Sequence, residues 1–220
     1  MAYRRTENVI RRLAARHDAI LAAAAALAAE SGINAVQIAP VAERSGIAAG
    51  TVYRYFPSKT ELIAALVAAV SEREIGAMRR AADAAPGPLS ALAAALTTFA
   101  AQALRSRKLA FALIAEPVDA DTEKAREPYR EALAGEIGKR LATAMSGGYV
   151  PDQDIRVAAP ALVGALAEGL VGPLAPATEA EMARRDAVQT FTLFALRAVG
   201  VADARARGLV VQARMPAKVS

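Results

Sequence analysis

The 220-residue chain has no cysteine, no tryptophan and a single histidine, His17. Disulfides and thiolate chemistry are therefore excluded, and a zinc site built from histidines cannot form within one subunit. His17 is interpreted as a surface side chain or as a contact within the N-terminal head, rather than as a catalytic base. The paired carboxylates Asp119/Asp121 and Asp152/Asp154 lie in Pro- or Gly-flanked turns, where Asp is common, and no phosphate-binding G-x-x-x-x-G-K motif occurs. We therefore predict no enzyme, no metal and no cofactor.

Long uncharged apolar runs are also missing. The longest uncharged stretch, residues 84–104, is broken by Pro86-Gly87-Pro88 and diluted by Ser, Thr and Gln, so we do not expect a membrane span. The N-terminus is basic and polar and does not resemble a secretory signal. Together with the lack of cysteine, these features predict a cytoplasmic protein.

Residues that favour β-strands are sparse, and no strand-like alternation persists. Alanine dominates a chain that is 55% apolar, and Gly and Pro recur at helix-length intervals, so we predict an all-α fold. We expect a head at residues 1–60, a larger helical body at 61–200 and a mobile tail at 201–220. The predicted long helices span about 13–31, 58–80, 89–105, 107–115, 123–145, 154–173 and 180–200.

The most informative stretch is Val36 to Leu62. Apolar residues recur at helical spacing up to Ala42, Gly46 allows a sharp turn, and a second short helix follows from about Ala48 to Tyr55. This pattern is typical of a helix-turn-helix.

The second short helix is rich in aromatic and basic side chains. Val52 and Phe56 are four residues apart and are predicted to face inward, with Tyr53 toward one flank. The outward face then carries Thr51, Arg54 and Tyr55, which are side chains that can contact phosphates or base edges in a major groove.

A capping box, Ser58-Lys59-Thr60-Glu61, is predicted to start the next helix. The positive end of that helix and the ammonium group of Lys59 would both lie where a phosphate can dock.

These residues resemble the DNA-binding signature of TetR-family transcriptional regulators, I-A-x-x-A-G-V-S-x-G-T-L-Y-x-H-F-x-S-K-x-x-L. The residues in register are Val41-Ala42, Gly46, Ile47, Gly50-Thr51-Val52-Tyr53, Phe56, Ser58-Lys59 and Leu62. The resemblance implies a DNA-binding head on an all-α body that binds an effector and dimerises. It also implies DNA contacts by Gln37, Ala39, Ala49, Gly50, Thr51, Tyr53, Arg54, Tyr55 and Lys59.

Three positions depart from that pattern. Ala48 replaces the usual helix-capping Ser, Tyr55 replaces His, and Pro40 stands in the first turn of the middle helix. A first-turn proline loses no intrahelical hydrogen bond, and a missing Ser cap costs about 1 kcal/mol. The helix that reads DNA is therefore expected to depend on packing for its order.

Positive charge is concentrated at the N-terminus. Residues 1–60 contain eight Lys and Arg against four Asp and Glu, whereas residues 61–220 contain nineteen against eighteen. The arginines before the first predicted apolar stripe (Arg4, Arg5, Arg11, Arg12 and Arg16) form either a solvated tail or an arm that contacts DNA.

Two segments of the body, 155–171 and 188–199, are apolar around much of their circumference. Burial inside one subunit is one explanation. The alternative, implied by the resemblance, is a two-fold interface in which helices 154–173 and 180–200 pair with their mates in a four-helix bundle. Such a dimer would read a palindromic operator in double-stranded DNA.

The body is expected to hold a pocket for an unidentified small-molecule effector. Apolar candidates for its lining are Phe99, Leu104, Phe111, Leu113, Tyr129 and Met145, and the alternative for each is ordinary core. Glu116, Arg126 and Arg130 are the polar candidates that would orient a ligand.

Two functions remain. The first is a homodimeric transcriptional regulator, expected to be a repressor released by its effector. The second is a helical interaction protein that uses its helix-turn-helix for protein docking or architecture.

Overall fold

The computed structural model of the chain describes residues 2–178 and 180–213, with side chains from residue 9 onward. Regular structure within these ranges is helical, without any β-strand, and the predicted all-α class is confirmed. The helices are α1 (Ala2–Ser31), α2 (Ile38–Ser45), α3 (Ala49–Tyr55), α4 (Lys59–Asp83), α5 (Pro88–Arg105), α6 (Arg107–Ile114), α7 (Ala120–Ser146), α8 (Ile155–Leu166), α9 (Glu181–Ala198) and α10 (Asp203–Gln212). A short 3-10 helix (Ile33–Ala35) follows α1, and a π-helical turn (Ala167–Val171) continues α8.

Helix α1 begins at Ala2, well before the predicted start at about residue 13. Its first part contains Ala, Arg and Glu without Gly or Pro, and such residues favour a helix even without an apolar stripe. The buried stripe begins at Ile20 and continues through Ala24 and Ala28. Gly32 ends the helix at φ 83°, as the sequence predicted. The stripe packs against α2, α4 and α6, which connects the N-terminal helices to the body.

Helix α4 is continuous from Lys59 to Asp83 and therefore crosses the boundary that we predicted after residue 60. Its N-terminal end buries Leu62 against the first three helices, and its later turns pack on α5 and α7. A single continuous helix thus connects the N-terminal helices with the body.

The centre of the body is α5, which packs against α4, α7, α9 and α10. Leu92, Leu96 and Phe99 are each fully buried on it. The helix carries no charge between Pro88 and Leu104, so almost all of its surface can be buried without desolvating an ion.

Buried polar contacts join α4 to α7. The Tyr129 hydroxyl donates a hydrogen bond to the Glu74 carboxylate, and burial holds the hydroxyl in its protonated form by raising the pKa of Tyr129. Farther along the same pair of helices, the Glu136 carboxylate, 3% exposed, accepts hydrogen bonds from Arg79 at 3.0 Å and Arg140 at 2.8 Å. These contacts fix the register of the two helices.

The Glu74→Gln variant is expected to change how stability depends on pH. Burial raises the pKa of Glu74, against the opposing effects of the Tyr129 hydrogen bond and the Arg73 charge. At pH values between the unfolded-state and the folded-state pKa of Glu74, the folded protein binds more protons than the unfolded chain. The free energy of unfolding therefore falls as pH rises through this window. The stability of Glu74→Gln relative to the native protein should therefore increase with pH.

Urea unfolding at several values between about pH 5 and about pH 8 would measure this difference. Glu72→Gln is the matched control, because Glu72 lies on the same helix with an exposed side chain. A constant difference in unfolding free energy between Glu74→Gln and the native protein would contradict the expectation.

The prediction of a mobile tail was wrong for residues 203–212, which form α10 and pack against α9 and α5. Ala206, Leu209 and Val210 are buried at helical spacing, a stripe that the sequence analysis did not recognise. The Asp203 carboxylate accepts hydrogen bonds from Arg197 and Arg207, which fixes the start of the helix. Residues 214–220 of the predicted tail lie outside the described residues.

Candidate nucleic-acid interface

The turn between α2 and α3 is made by Gly46, which has φ 67° and ψ 21°. This left-handed conformation favours glycine, and it lets the amide of Ile47 donate to the carbonyl of Ala42 at 3.1 Å. Ile47 packs against the core just after the turn. The predicted helix-turn-helix is therefore present. Pro40 lies in the first turn of α2, where the sequence placed it.

Helix α3 is held by its inner face and exposes its outer one. Val52 is fully buried and Phe56 is 5% exposed, as predicted, and Ala48 caps the helix without a side-chain hydrogen bond. On the outer side, Tyr53 is 54% exposed. Of the other predicted DNA contacts on α3, Ala49, Gly50 and Arg54 are exposed and Thr51 is half-buried.

Tyr55 differs from the predicted outward orientation. Its ring is half-buried against the core, its hydroxyl donates to the carbonyl of Leu13 on α1 at 3.4 Å, and its centroid lies 6.4 Å from that of His17. His17 also lies 5.3 Å from Phe56, so these rings pack the end of α3 onto α1. The apolar body of a tyrosine at the end of a short helix is better stabilised by this packing than by full exposure.

The flanks of α3 carry the remaining predicted contacts. Gln37 is the N-cap of α2, with an exposed side chain that donates to the Asn34 carbonyl at 3.4 Å, and Ala39 is exposed in the first turn. Ser58 caps α4 by accepting from the Glu61 amide at 3.1 Å, as the capping box predicts. Lys59, half-buried, is the first residue of that helix.

A basic extension lies beside these helices. Arg11, Arg12 and Arg16 are exposed on the part of α1 that precedes its buried stripe. Arg44 is paired with Glu30 and holds α2 against α1. The side chains of Arg4 and Arg5 lie outside the described residues.

The structure does not bring the predicted effector residues into one pocket. Leu104, Phe111 and Glu116 line a cleft of about 800 Å³, Tyr129 lines another of about 730 Å³, and Arg130 lines a third of about 490 Å³. Phe99 and Leu113 are core residues, at 0% and 1% exposed, and Met145 packs against the core at the end of α7.

Glu116 and Arg126 already have partners within the protein. The Glu116 carboxylate accepts from the Ile33 amide at 2.8 Å and lies against Gly32, where a Cβ would come within 2.5 Å of it. Arg126, 2% exposed, donates to the carbonyls of Ala112 and Glu116 at 2.8 Å. Glu116 therefore binds the segment that follows α1, and Arg126 joins α7 to the end of α6.

The positively charged junction between α5 and α6 was not among the residues predicted from the sequence. Arg105, Arg107 and Lys108 line the same cleft of about 800 Å³ as Glu116. The run Arg105-Ser106-Arg107-Lys108 was visible in the sequence, but only the tertiary structure places it opposite the end of α1.

Among the described helices, none combines the length and the apolar character that a membrane span requires. The described part of the chain also contains no group of three or more His, Asp or Glu side chains suited to hold a metal ion.

The N-terminal part of the chain matches known proteins. Residues 20–66 match the family model described as bacterial regulatory proteins, tetR family. The HTH-type transcriptional repressor KstR of Rhodococcus jostii is 50% identical over 58 residues, which are 26% of this chain and 27% of that protein. KstR of Mycolicibacterium smegmatis is 43% identical over 77 residues, 35% of this chain and 38% of that protein. The chain thus matches well under half the length of these repressors.

Solved structures extend the likeness to the whole fold. RolR in complex with resorcinol superposes with a TM-score of 0.67 at 22% identity, over 94% of this chain and 98% of that one. FadR of Bacillus subtilis in complex with stearoyl-CoA gives a TM-score of 0.67 at 17% identity, over 79% of this chain and 96% of that one. The helix-turn-helix and the family match over residues 20–66 agree, so the N-terminal part of the chain is similar to the bacterial regulatory proteins of the tetR family.

Proposed function

We propose that the chain is a homodimeric, sequence-specific DNA-binding repressor that a small molecule releases from its operator in the cytoplasm. The observation that carries this proposal is α3, anchored by Val52 and Phe56 and exposing Tyr53 and Arg54. A helix held in this way can enter a major groove without disturbing the core. Regulatory proteins of this family are not enzymes, in agreement with the sequence prediction.

The proposed DNA surface consists of α3 and its flanks. Gly50 and Ala49 allow close backbone approach, Arg54 and Tyr53 reach toward bases or phosphates, and Lys59 stands at the positive end of α4. The other proposed contacts are Gln37, Ala39, Thr51 and, through its ring edge, Tyr55. The exposed arginines of α1 would add phosphate contacts beside the groove.

The proposed dimer uses α8 and α9. Phe194 on α9 is 52% exposed and lines an open cleft of about 710 Å³ that runs from the end of α8 along α9. Val157 on α8 is 67% exposed. A second copy of the chain would cover these apolar side chains and present two α3 helices to one palindrome.

We further propose that residues 1–60 form the DNA-binding head and residues 61–200 the effector-binding and dimerisation body. RolR binds resorcinol and FadR of Bacillus subtilis binds stearoyl-CoA. These ligands support a small-molecule effector for this chain, and the second function, protein docking through the helix-turn-helix, is not favoured.

Two substitutions test the proposed DNA surface. Lys59→Ala should weaken binding to every duplex alike and should reduce the slope of log affinity against log salt by about 0.9, because one phosphate contact is lost. Arg54→Ala should cost about 1–3 kcal/mol on a preferred sequence and less on others. Fluorescence anisotropy with preferred and scrambled duplexes, at several salt concentrations, measures both effects.

The matched control is Lys139→Ala, which removes an exposed lysine from α7 in the body. It should leave both the affinity and the salt slope unchanged. Native affinity in both the Lys59→Ala and Arg54→Ala variants would reject the assigned surface, and nearly salt-independent binding would favour protein docking.

A further inference from the structure

The N-terminal helices α1–α3 are joined to the body in two ways. The chain continues through α4 without interruption, and α1 packs against α6. Apolar packing is non-directional, so a hydrogen bond across the contact between α1 and α6 adds a directional restraint that packing does not supply.

The Glu116 carboxylate makes a hydrogen bond of this kind. It accepts from the amide of Ile33 at 2.8 Å, and Ile33 is 0% exposed. Gly32 has φ 83°, and a Cβ there would lie 2.5 Å from a carboxylate oxygen of Glu116, so the missing side chain lets the carboxylate approach. The contact joins the turn after α1 to the loop between α6 and α7, 83 residues further along the chain.

The backbone of Glu116 is held in place by the body. Its amide donates to the carbonyl of Phe111 at 2.9 Å, and its carbonyl accepts from Arg126 at 2.8 Å. Arg126 is 2% exposed and also donates to the carbonyl of Ala112. Because α6 and α7 already fix the backbone at Glu116, less conformational entropy is lost when its carboxylate binds the Ile33 amide.

The loop between α6 and α7 interacts with the N-terminal part of the chain at a second point. Hydrogen bonds from Thr122 hold the pKa of Asp119 below its usual value, and the positive charge of Lys59 lowers it further. Lys59 is the first residue of α4. The loop that carries Glu116 therefore interacts with the turn after α1 and with the start of α4.

We propose that Glu116 is a positioning residue: through the Ile33 amide it holds α1–α3 at one angle to the body and thereby sets the separation of the two α3 helices in a dimer. The part of this inference that concerns DNA rests on the proposed function. A second half-site adds affinity only when the second α3 reaches it without strain. Val52 and Phe56 anchor α3 within the N-terminal helices, so binding to a single half-site does not depend on Glu116.

The angle can be measured without DNA. The chain has no cysteine, so Glu43→Cys on α2 and Lys139→Cys on α7, both at exposed positions, attach two spin labels specifically. Double electron–electron resonance, with labelled protein diluted in unlabelled protein, gives the distance between the labels within one chain. The native residue and Glu116→Gln, which keeps an acceptor oxygen, should both give one narrow distribution. Glu116→Leu has no acceptor and should give a broader one.

The matched control is Glu131→Leu, which makes the same change at an exposed position of α7 and should keep the narrow distribution. Hydrogen exchange at the Ile33 amide reports the contact itself. Its protection should be lost in Glu116→Leu and retained in Glu116→Gln. Thermal melting of each variant verifies that it is folded.

DNA binding by the same variants tests the consequence. Glu116→Leu should bind a duplex with two half-sites about tenfold more weakly than the native protein does, and should bind a single half-site equally well. A general loss of stability would weaken binding to both duplexes alike. Glu116→Gln should restore the native affinity for two half-sites.

An unchanged distance distribution in Glu116→Leu would overturn the proposal, and so would equal losses of affinity on the two duplexes. A broad distribution in Glu116→Gln or in Glu131→Leu would also overturn it. Sequence-specific DNA binding with an unchanged distribution in Glu116→Leu rejects the positioning role alone. A broadened distribution in a protein that binds no DNA sequence specifically rejects the proposed function and keeps Glu116 as the residue that positions α1–α3.

Discussion

Replacing Phe194 by Glu is expected to convert the protein into a monomer and to lower its affinity for operator DNA by about 10²-fold or more. The ring is 52% exposed on α9, whereas Phe191, one turn earlier, is 6% exposed and belongs to the core. A glutamate at position 194 would be solvated in a monomer but would be buried without a partner in the proposed interface, where an unpaired charge is strongly unfavourable.

The loss of DNA affinity follows from the geometry of two linked half-sites. A monomer presents one α3, so the second half-site contact no longer benefits from a high effective concentration. Analytical ultracentrifugation gives the oligomeric state, and anisotropy with a two-half-site duplex gives the affinity. Both should change together.

Val211→Glu provides the matched control, since Val211 is 81% exposed on α10 and the substitution is also from an apolar residue to an acid. It should leave the dimer and the DNA affinity intact. A dimeric Phe194→Glu protein with native DNA affinity would contradict the proposed interface.

Arg126→Met is expected to cost about 1–3 kcal/mol of unfolding free energy, because it leaves the buried carbonyl of Ala112 without its hydrogen-bond donor. The guanidinium is 2% exposed, donates to the carbonyls of Ala112 and Glu116 at 2.8 Å and pairs with Glu123. Those carbonyls lie at the C-terminal end of α6, where the helix dipole also favours a cation. Methionine fills part of the space but supplies no donor.

Arg130→Met separates this effect from simple loss of charge. Arg130 also pairs with Glu123, but its side chain is 34% exposed and its removal should cost less than about 1 kcal/mol. Urea unfolding of both variants measures the two costs. A cost for Arg126→Met as small as that for Arg130→Met would contradict the structural role of Arg126.

The helix-turn-helix could be predicted because its signals are local. Gly46 makes the turn, Val52 and Phe56 are one helical turn apart, and Ser58 caps the next helix within three residues. Each of these depends on neighbouring residues in the sequence, so a periodic pattern was sufficient to orient α3.

The orientation of Tyr55 could not be predicted in the same way. Its hydroxyl contacts Leu13, which is 42 residues away, and nothing in the local pattern of α3 indicates that α1 provides this partner. The helical wheel gave the outer face correctly, but tertiary packing of the ring against the core overrides it at this position.

The residues predicted to line the effector pocket do not lie in one pocket, for a related reason. Phe99, Leu113 and Arg126 were selected by residue type, and residue type does not distinguish a pocket wall from a packed core. That Arg107 and Lys108 line the same cleft as Gly32 could be recognised only from the fold, because these residues are far apart in the sequence.

Selection from a random double-stranded DNA pool tests the claim that two copies of α3 read a palindrome. The purified protein is incubated with the pool at moderate salt, and the retained duplexes are sequenced. Two inverted half-sites with centres about 34–36 Å apart, one turn of DNA, are the predicted result. Retained duplexes without a shared sequence, bound equally weakly at every salt concentration, would contradict the claim.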